Sequence, residues 1–139
     1  MISILIITHG GLGQSFLDTT KIIMGEKPEN TMALSIDLTQ NVDLLHDKIV
    51  EALEGLNGPD GVLLLTDMFG GTPSNLSYSF MEAGKIEVIA GVNLPMLIQA
   101  LSWRKKKPLP VLAHDLEEFG KKSISLASNV LKGNKTHSV

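Results

Sequence analysis

The sequence predicts an α/β fold of one domain, an open parallel sheet with helices on both faces. Three observations carry that prediction. Four short, largely apolar runs, at 2–7, 31–36, 62–66 and 86–90, alternate with stretches of helical periodicity, the pattern of repeated βα units. Runs such as I-S-I-L-I-I and V-L-L-L-T lack polar alternation, as expected of strands covered on both faces. A length of 139 residues suits one domain with one sizeable core. The domain is expected over 1–131, with 132–139 as a flexible tail.

The elements follow in order. The first strand ends in Thr8 to Gly13, where three glycines suit a tight turn. Phe16, Leu17, Thr20, Ile23 and Met24 then recur at helical spacing, and Gly25 is the stop signal. Residues 31–36 are the second strand. Residues 41–56 are the second helix, with a stripe of Val42, Leu45, Ile49, Ala52, Leu53 and Leu56. The turn Asn57-Gly58-Pro59-Asp60-Gly61 opens the third strand. Thr72 and Pro73 read as N-cap and first position of a third helix, since proline lacks only a donor that this position leaves unused. After the fourth strand, Asn93-Leu94-Pro95 starts a helix reaching about Ser102. Arg104 to Lys107, four consecutive basic residues, read as a solvated loop or a dock for an acidic partner. One last helix is expected from about Ala113 to Leu131, with Gly120 inside it.

Composition narrows the function. Lys plus Arg number 12 against 15 Asp plus Glu, a formal charge of −3, which argues against nucleic acid as a partner. There is no cysteine, so disulfides, thiolate zinc sites and iron–sulfur clusters are excluded. No run approaches the ~20 apolar residues of a membrane span. The first strand lacks the basic flank of a secretory signal and breaks at once into Thr8-His9-Gly10-Gly11, so a cytoplasmic protein is expected. No Walker A spacing and no metal-spaced cluster of His, Asp and Glu occurs, and neither metal nor cofactor is expected.

Ligands of open parallel sheets bind beyond the carboxyl ends of the strands, where strand order switches. The loop after strand one carries His9, and the loop after strand three carries Asp67. In an order of 2-1-3-4 they meet at the switch point. A carboxylate beside an imidazole fixes its tautomer and leaves the other ring nitrogen as nucleophile, base or metal ligand. Backbone N–H groups at Gly10, Gly11 and Leu12 open one helix. Those at Gly71 and Thr72, with the Thr72 hydroxyl, open another, so an anion such as phosphate fits between them. Each residue also has a plainer reading, His9 capping a turn and Asp67 capping a helix. Asp67 as a phosphoacceptor would call for an acidic pair after strand one, where this chain has His9. His46 reads as solvated, His114 lies at the start of the last helix, and His137 falls in the tail.

Three blocks carry a resemblance: I-I-T-H-G-G at 6–11, L-L-T-D-M-F-G-G-T-P-S-N at 64–75 and V-I-A-G-V-N-L-P-M-L at 88–97. Together they resemble the enzyme IIA domain of the mannose family of the bacterial phosphotransferase system. The likeness covers about residues 1–131. It implies four parallel strands in the order 2-1-3-4 and a phosphoryl relay. A histidine after strand one accepts the group from the phosphocarrier HPr and passes it to an enzyme IIB domain, which serves a membrane sugar permease. By this resemblance His9 is the phosphoacceptor, Asp67 the carboxylate that holds the ring, and Thr72 the hydroxyl near the phosphoryl group. Met68, Phe69 and Leu94 are candidates for partner docking, against a plainer role in the core. The resemblance also implies a homodimer with an exchanged strand, although the C-terminal region reads as helix. No linker and no IIB domain follow the match. A separate transporter subunit is therefore expected, or alternatively a regulatory IIA whose His9 phosphorylation controls partner binding. A noncovalent small-anion binder is the third reading.

Overall fold

Every residue of the run 2–7 except Ser3 is an aliphatic that would cost roughly 1.5–3 kcal/mol to leave in water. The computed structural model, which describes residues 1–56 and 58–133, buries that strand at the centre of the fold. The elements are β1 (Ser3–His9), α1 (Leu12–Met24), β2 (Thr31–Ile36), α2 (Val42–Leu56) and β3 (Val62–Thr66). They continue with α3 (Thr72–Tyr78), β4 (Ile86–Ala90), α4 (Leu94–Trp103), α5 (Leu109–Lys122) and α6 (Ala127–Leu131). The four strands are parallel in the order β2-β1-β3-β4, as the family resemblance implies.

The period of two along a strand divides the core. Ile4 and Ile6 of β1, with Leu63 and Leu65 of β3, face α1, α4 and α5. Leu5 and Ile7, with Leu64, face Leu45, Ile49 and Leu56 of α2 and, more loosely, Leu76 of α3. Helices therefore cover both faces. β1 runs two residues further than its apolar run suggests, since Thr8 and His9 still pair with Ser35 and Ile36 of β2. Gly25 ends α1 with φ at 85°, a left-handed conformation that glycine adopts without strain. Beyond Leu17 and Thr20 the α1 stripe leaves the core: Ile23 and Met24 are exposed, as is Val42 at the start of α2.

Three local expectations are corrected. The cap of α3 is Gly71, not Thr72: Gly71 is extended (φ −80°, ψ 165°), and its carbonyl accepts the Asn75 N–H at 3.0 Å. Thr72 and Pro73 are thus the first two helical positions. The single helix expected over 113–131 is two. α5 begins four residues earlier, because Pro110 sits in its first turn, where proline is tolerated. It stops at Ser123, whose hydroxyl turns back onto the Phe119 carbonyl at 2.7 Å, and Leu126 is extended before α6. Arg104 is not a solvated loop residue: it is 6% exposed and donates to the Thr31 hydroxyl at 3.2 Å. Burial pulls its guanidinium below its ordinary pKa, with Glu29 opposing. Lys107 bonds Asp115 at 2.5 Å and lies over the Trp103 ring, whereas Lys105 and Lys106 are exposed. His46 is exposed, as expected, with its ring stacked on Phe80 at 4.7 Å between centres. His114 is exposed in the second turn of α5. His137 and most of the expected tail lie outside the described residues.

Candidate functional site

β1 and β3 are neighbours, so the residues that end them meet. The Nδ1 atom of His9 lies 2.8 Å from Oδ2 of Asp67, and the same oxygen accepts the His9 backbone N–H at 2.9 Å. The other carboxylate oxygen accepts the Met68 N–H at 2.9 Å. Burial alone would raise the Asp67 pKa. The bonds from His9 and Met68 and the nearby imidazole outweigh it and hold the group below its ordinary value of 3.8. Asp67 is therefore ionised at neutral pH and only accepts. It follows that the proton of a neutral His9 ring sits on Nδ1 and the lone pair on Nε2. The His9 side chain is 34% exposed and that of Asp67 11%, so the carboxylate is shielded while the ring faces solvent.

The remaining expected residues surround this pair at the carboxyl edge of the sheet. Gly10 follows His9 with φ at +50°, a turn that takes the chain out of the strand and into α1, which Gly11 caps. Gly71 lies against the imidazole: a Cβ built on it would stand 2.9 Å from His9 Cε1 and 3.5 Å from Nε2. Thr72 is half-buried at the first position of α3. Met68 and Phe69 are 56% and 80% exposed and lie outside both core clusters, with the Phe69 ring 6.3 Å from that of Tyr78 between centres. Leu94 is half-buried at the start of α4.

Three participants were missed in the sequence. The Thr8 hydroxyl accepts the Gly13 N–H at 2.8 Å, tying β1 to the first turn of α1 and using one donor of that helix start. Leu12 and Leu38 are exposed in the stretches that follow β1 and β2, at the same edge as Met68 and Phe69. The Thr8-to-Gly13 spacing was a usable signal for the first. Nothing in the sequence distinguishes the two leucines from core residues. No group of three or more His, Asp or Glu side chains among the described residues could hold a metal. No helix among them is long and apolar enough to cross a membrane.

A parallel sheet in this order, with a histidine paired to a carboxylate at its switch point, defines the class: a small α/β domain with a His–Asp pair at the carboxyl edge of its sheet. Comparison with known proteins specifies the family. Residues 3–117 match the family model described as the PTS system fructose IIA component, and the chain belongs to this fructose/mannose IIA family of the phosphotransferase system. It is 34% identical over 137 residues to the fructose-specific EIIA component of Bacillus subtilis, covering 98% of this chain and 93% of that one. It is 37% identical over 108 residues to the mannose-specific EIIAB component of Escherichia coli, covering 77% of this chain and 33% of that one. The chain thus spans a third of that relative's length. A crystal structure of the EIIA component from Streptococcus agalactiae superposes with a TM-score of 0.82 at 25% identity, covering 93% and 99% of the two chains. The family makes this protein a phosphoryl-relay component of sugar uptake.

Proposed function

We propose that the protein accepts a phosphoryl group from HPr on Nε2 of His9 and passes it to a histidine of an enzyme IIB domain. That domain in turn phosphorylates the sugar entering through a membrane permease. The observation that carries this reading is the 2.8 Å contact of Nδ1 with an ionised Asp67, which leaves the lone pair on Nε2 of a ring that is one third exposed. In the step, that lone pair attacks phosphorus in line. The bond to the donor breaks, and its electron pair leaves with the donor. The proton on Nδ1 stays in place, so the phosphorylated ring becomes cationic, and Asp67 neutralises it. The phosphoryl oxygens face the N–H groups at Gly10 and Gly11 and the Thr72 hydroxyl, while Gly71 flanks the attacking nitrogen. Transfer to the acceptor is the same displacement in reverse.

Met68 and Phe69, joined by Leu12 and Leu38, form the apolar rim on which donor and acceptor dock in turn. The protein works in the cytoplasm as a homodimer. The outer edge of β4 has no strand beside it in the described sheet, and Ile124 and Leu126 are exposed in the non-helical link between α5 and α6. These two features are complementary in the sense that an exchanged strand requires. Neither a metal nor an organic cofactor enters the proposed chemistry.

The test is the intact mass after incubation with HPr, enzyme I and phosphoenolpyruvate. One added phosphoryl group is expected, lost in mild acid and stable in base, and absent from His9→Ala. Transfer surviving in His9→Ala would refute the assignment. A group labile in both acid and base would move the acceptor to Asp67.

A further inference from the structure

We propose that Gly71 is a positioning residue, its bare α-carbon forming the wall that holds the His9 ring on Asp67; the proposal rests on the phosphoacceptor reading above. The backbone at Gly71 does not call for glycine. Its φ of −80° and ψ of 165° are open to any L-residue. What excludes a side chain is the imidazole, since a Cβ would stand 2.9 Å from Cε1, well inside the ~3.5–4.0 Å at which carbon atoms rest.

Of the two sides of that clash, the glycine is the fixed one. Gly71 is buried, its carbonyl holds the Asn75 N–H, and its own N–H faces the Met68 carbonyl at 3.4 Å. Pro73 and Ser74 behind it are buried as well. The His9 ring, a third exposed, is the side that can yield, and it yields by turning out toward solvent. That motion lengthens the Nδ1–Asp67 bond while the His9 backbone N–H keeps its own bond to the same oxygen. The ring then loses the partner that fixes its proton on Nδ1. Gly71 thus acts through His9, and the next smallest residue is already too large.

Gly71→Ala is therefore expected to fold and to fail in the ring. ¹⁵N spectra of the His9 ring should show loss of the preference for protonated Nδ1, and the Asp67 carboxyl should titrate at a higher pH than in the parent. Phosphoryl transfer from HPr should fall about 10- to 100-fold, the usual cost of a reacting group displaced by about 1 Å. Gly55→Ala, an exposed helical glycine with open space around it, should leave transfer unchanged and controls for glycine replacement as such. If Gly71→Ala keeps the parental ring spectrum and transfer rate, the proposal is wrong and the His9 assignment stands. If the parent protein takes up no phosphoryl group, the phosphoacceptor reading fails, and the ring spectra still decide on Gly71. Should Gly71→Ala be too unstable for spectra, thermal unfolding of the pair His9→Ala and His9→Ala/Gly71→Ala decides. With the ring gone the added methyl should cost nothing, and an undiminished loss of Tm in that background would overturn the proposal.

Discussion

Asp67→Asn isolates the charge of the carboxylate from its shape. Oδ2 accepts two bonds from His9 and Oδ1 one from Met68, so the asparagine carbonyl takes the Oδ2 position and its amide faces the Met68 N–H. Both His9 bonds survive but lose their charge assistance, about 1 kcal/mol each and about 2 kcal/mol together. Both bonds are already present in the resting protein, so their weakening falls on stability and ring orientation more than on the rate. The ring also becomes cationic as the phosphoryl group arrives, and a carboxylate about 4 Å from that charge is worth up to about 4 kcal/mol at an effective dielectric of about 20. That term alone is at most about 10³-fold in the rate, and screening it to about half at the solvent-exposed edge of the ring leaves about 30-fold. Single-turnover transfer from phosphorylated HPr should therefore slow by between about 30-fold and about 10³-fold. The unpaired Met68 donor should by itself lower Tm by a few degrees, corresponding to about 1 kcal/mol. A variant that transfers within about threefold of the parent would show that Asp67 merely orients the ring and that its charge contributes nothing.

Further outcomes follow from the same geometry. Because folding lowers the Asp67 pKa below 3.8, the unfolded chain binds more protons between the folded value and 3.8. Its contribution to stability is complete above that window and lost as pH falls through the folded value; thermal melts should therefore fall more steeply on acidification in the parent than in Asp67→Asn. Arg104→Ala should destabilise by about 2–4 kcal/mol, from an unfilled site and lost hydrogen bonds. Arg104→Met should cost under about 1 kcal/mol in urea titrations, since Thr31 keeps its own bond to the Glu29 carbonyl and the methionine fills the space. Phe69→Ser, at a side chain 80% exposed, should raise the half-saturating HPr concentration several-fold with Tm unchanged within about 1 °C, as docking and not core packing requires.

The strands were legible because their chemistry is local. At β2, β3 and β4 a dense aliphatic run flanked by turn residues sets both ends, and the helix stop at Gly25 follows from its αL conformation. The meeting of His9 with Asp67 was legible from topology: two loops, each ending a strand that must lie beside the other, converge whatever their separation in the chain. Other features depend on partners that no local pattern names. Arg104 sits among three lysines and reads as solvent-facing, yet the end of α4 directs it beneath the sheet to Thr31. Pro110 marks a first helical turn as surely as Pro73 does, but it follows Pro108 and the pair reads as loop. Gly120, which weakens the reading of a helix, is where Met96 of α4 approaches so closely that a Cβ would stand 2.5 Å from its Cε. The break at Ser123 has no glycine or proline to announce it. The exposure of Leu12 and Leu38 is a property of the finished surface.

The ladder between β1 and β3 ends with Ile7 opposite Thr66. One step further, the Asp67 carboxylate takes the His9 amide in the place of a strand carbonyl. A side chain thus supplies the next rung, and the reactive ring is attached to it. The His9 amide should accordingly exchange its hydrogen as slowly as the central strand does, opening only when the whole sheet opens. Its two halves are 58 residues apart, and nothing local holds them together. A partly folded chain would carry both residues without the pair they form, so under the proposed relay phosphoryl uptake would count folded molecules.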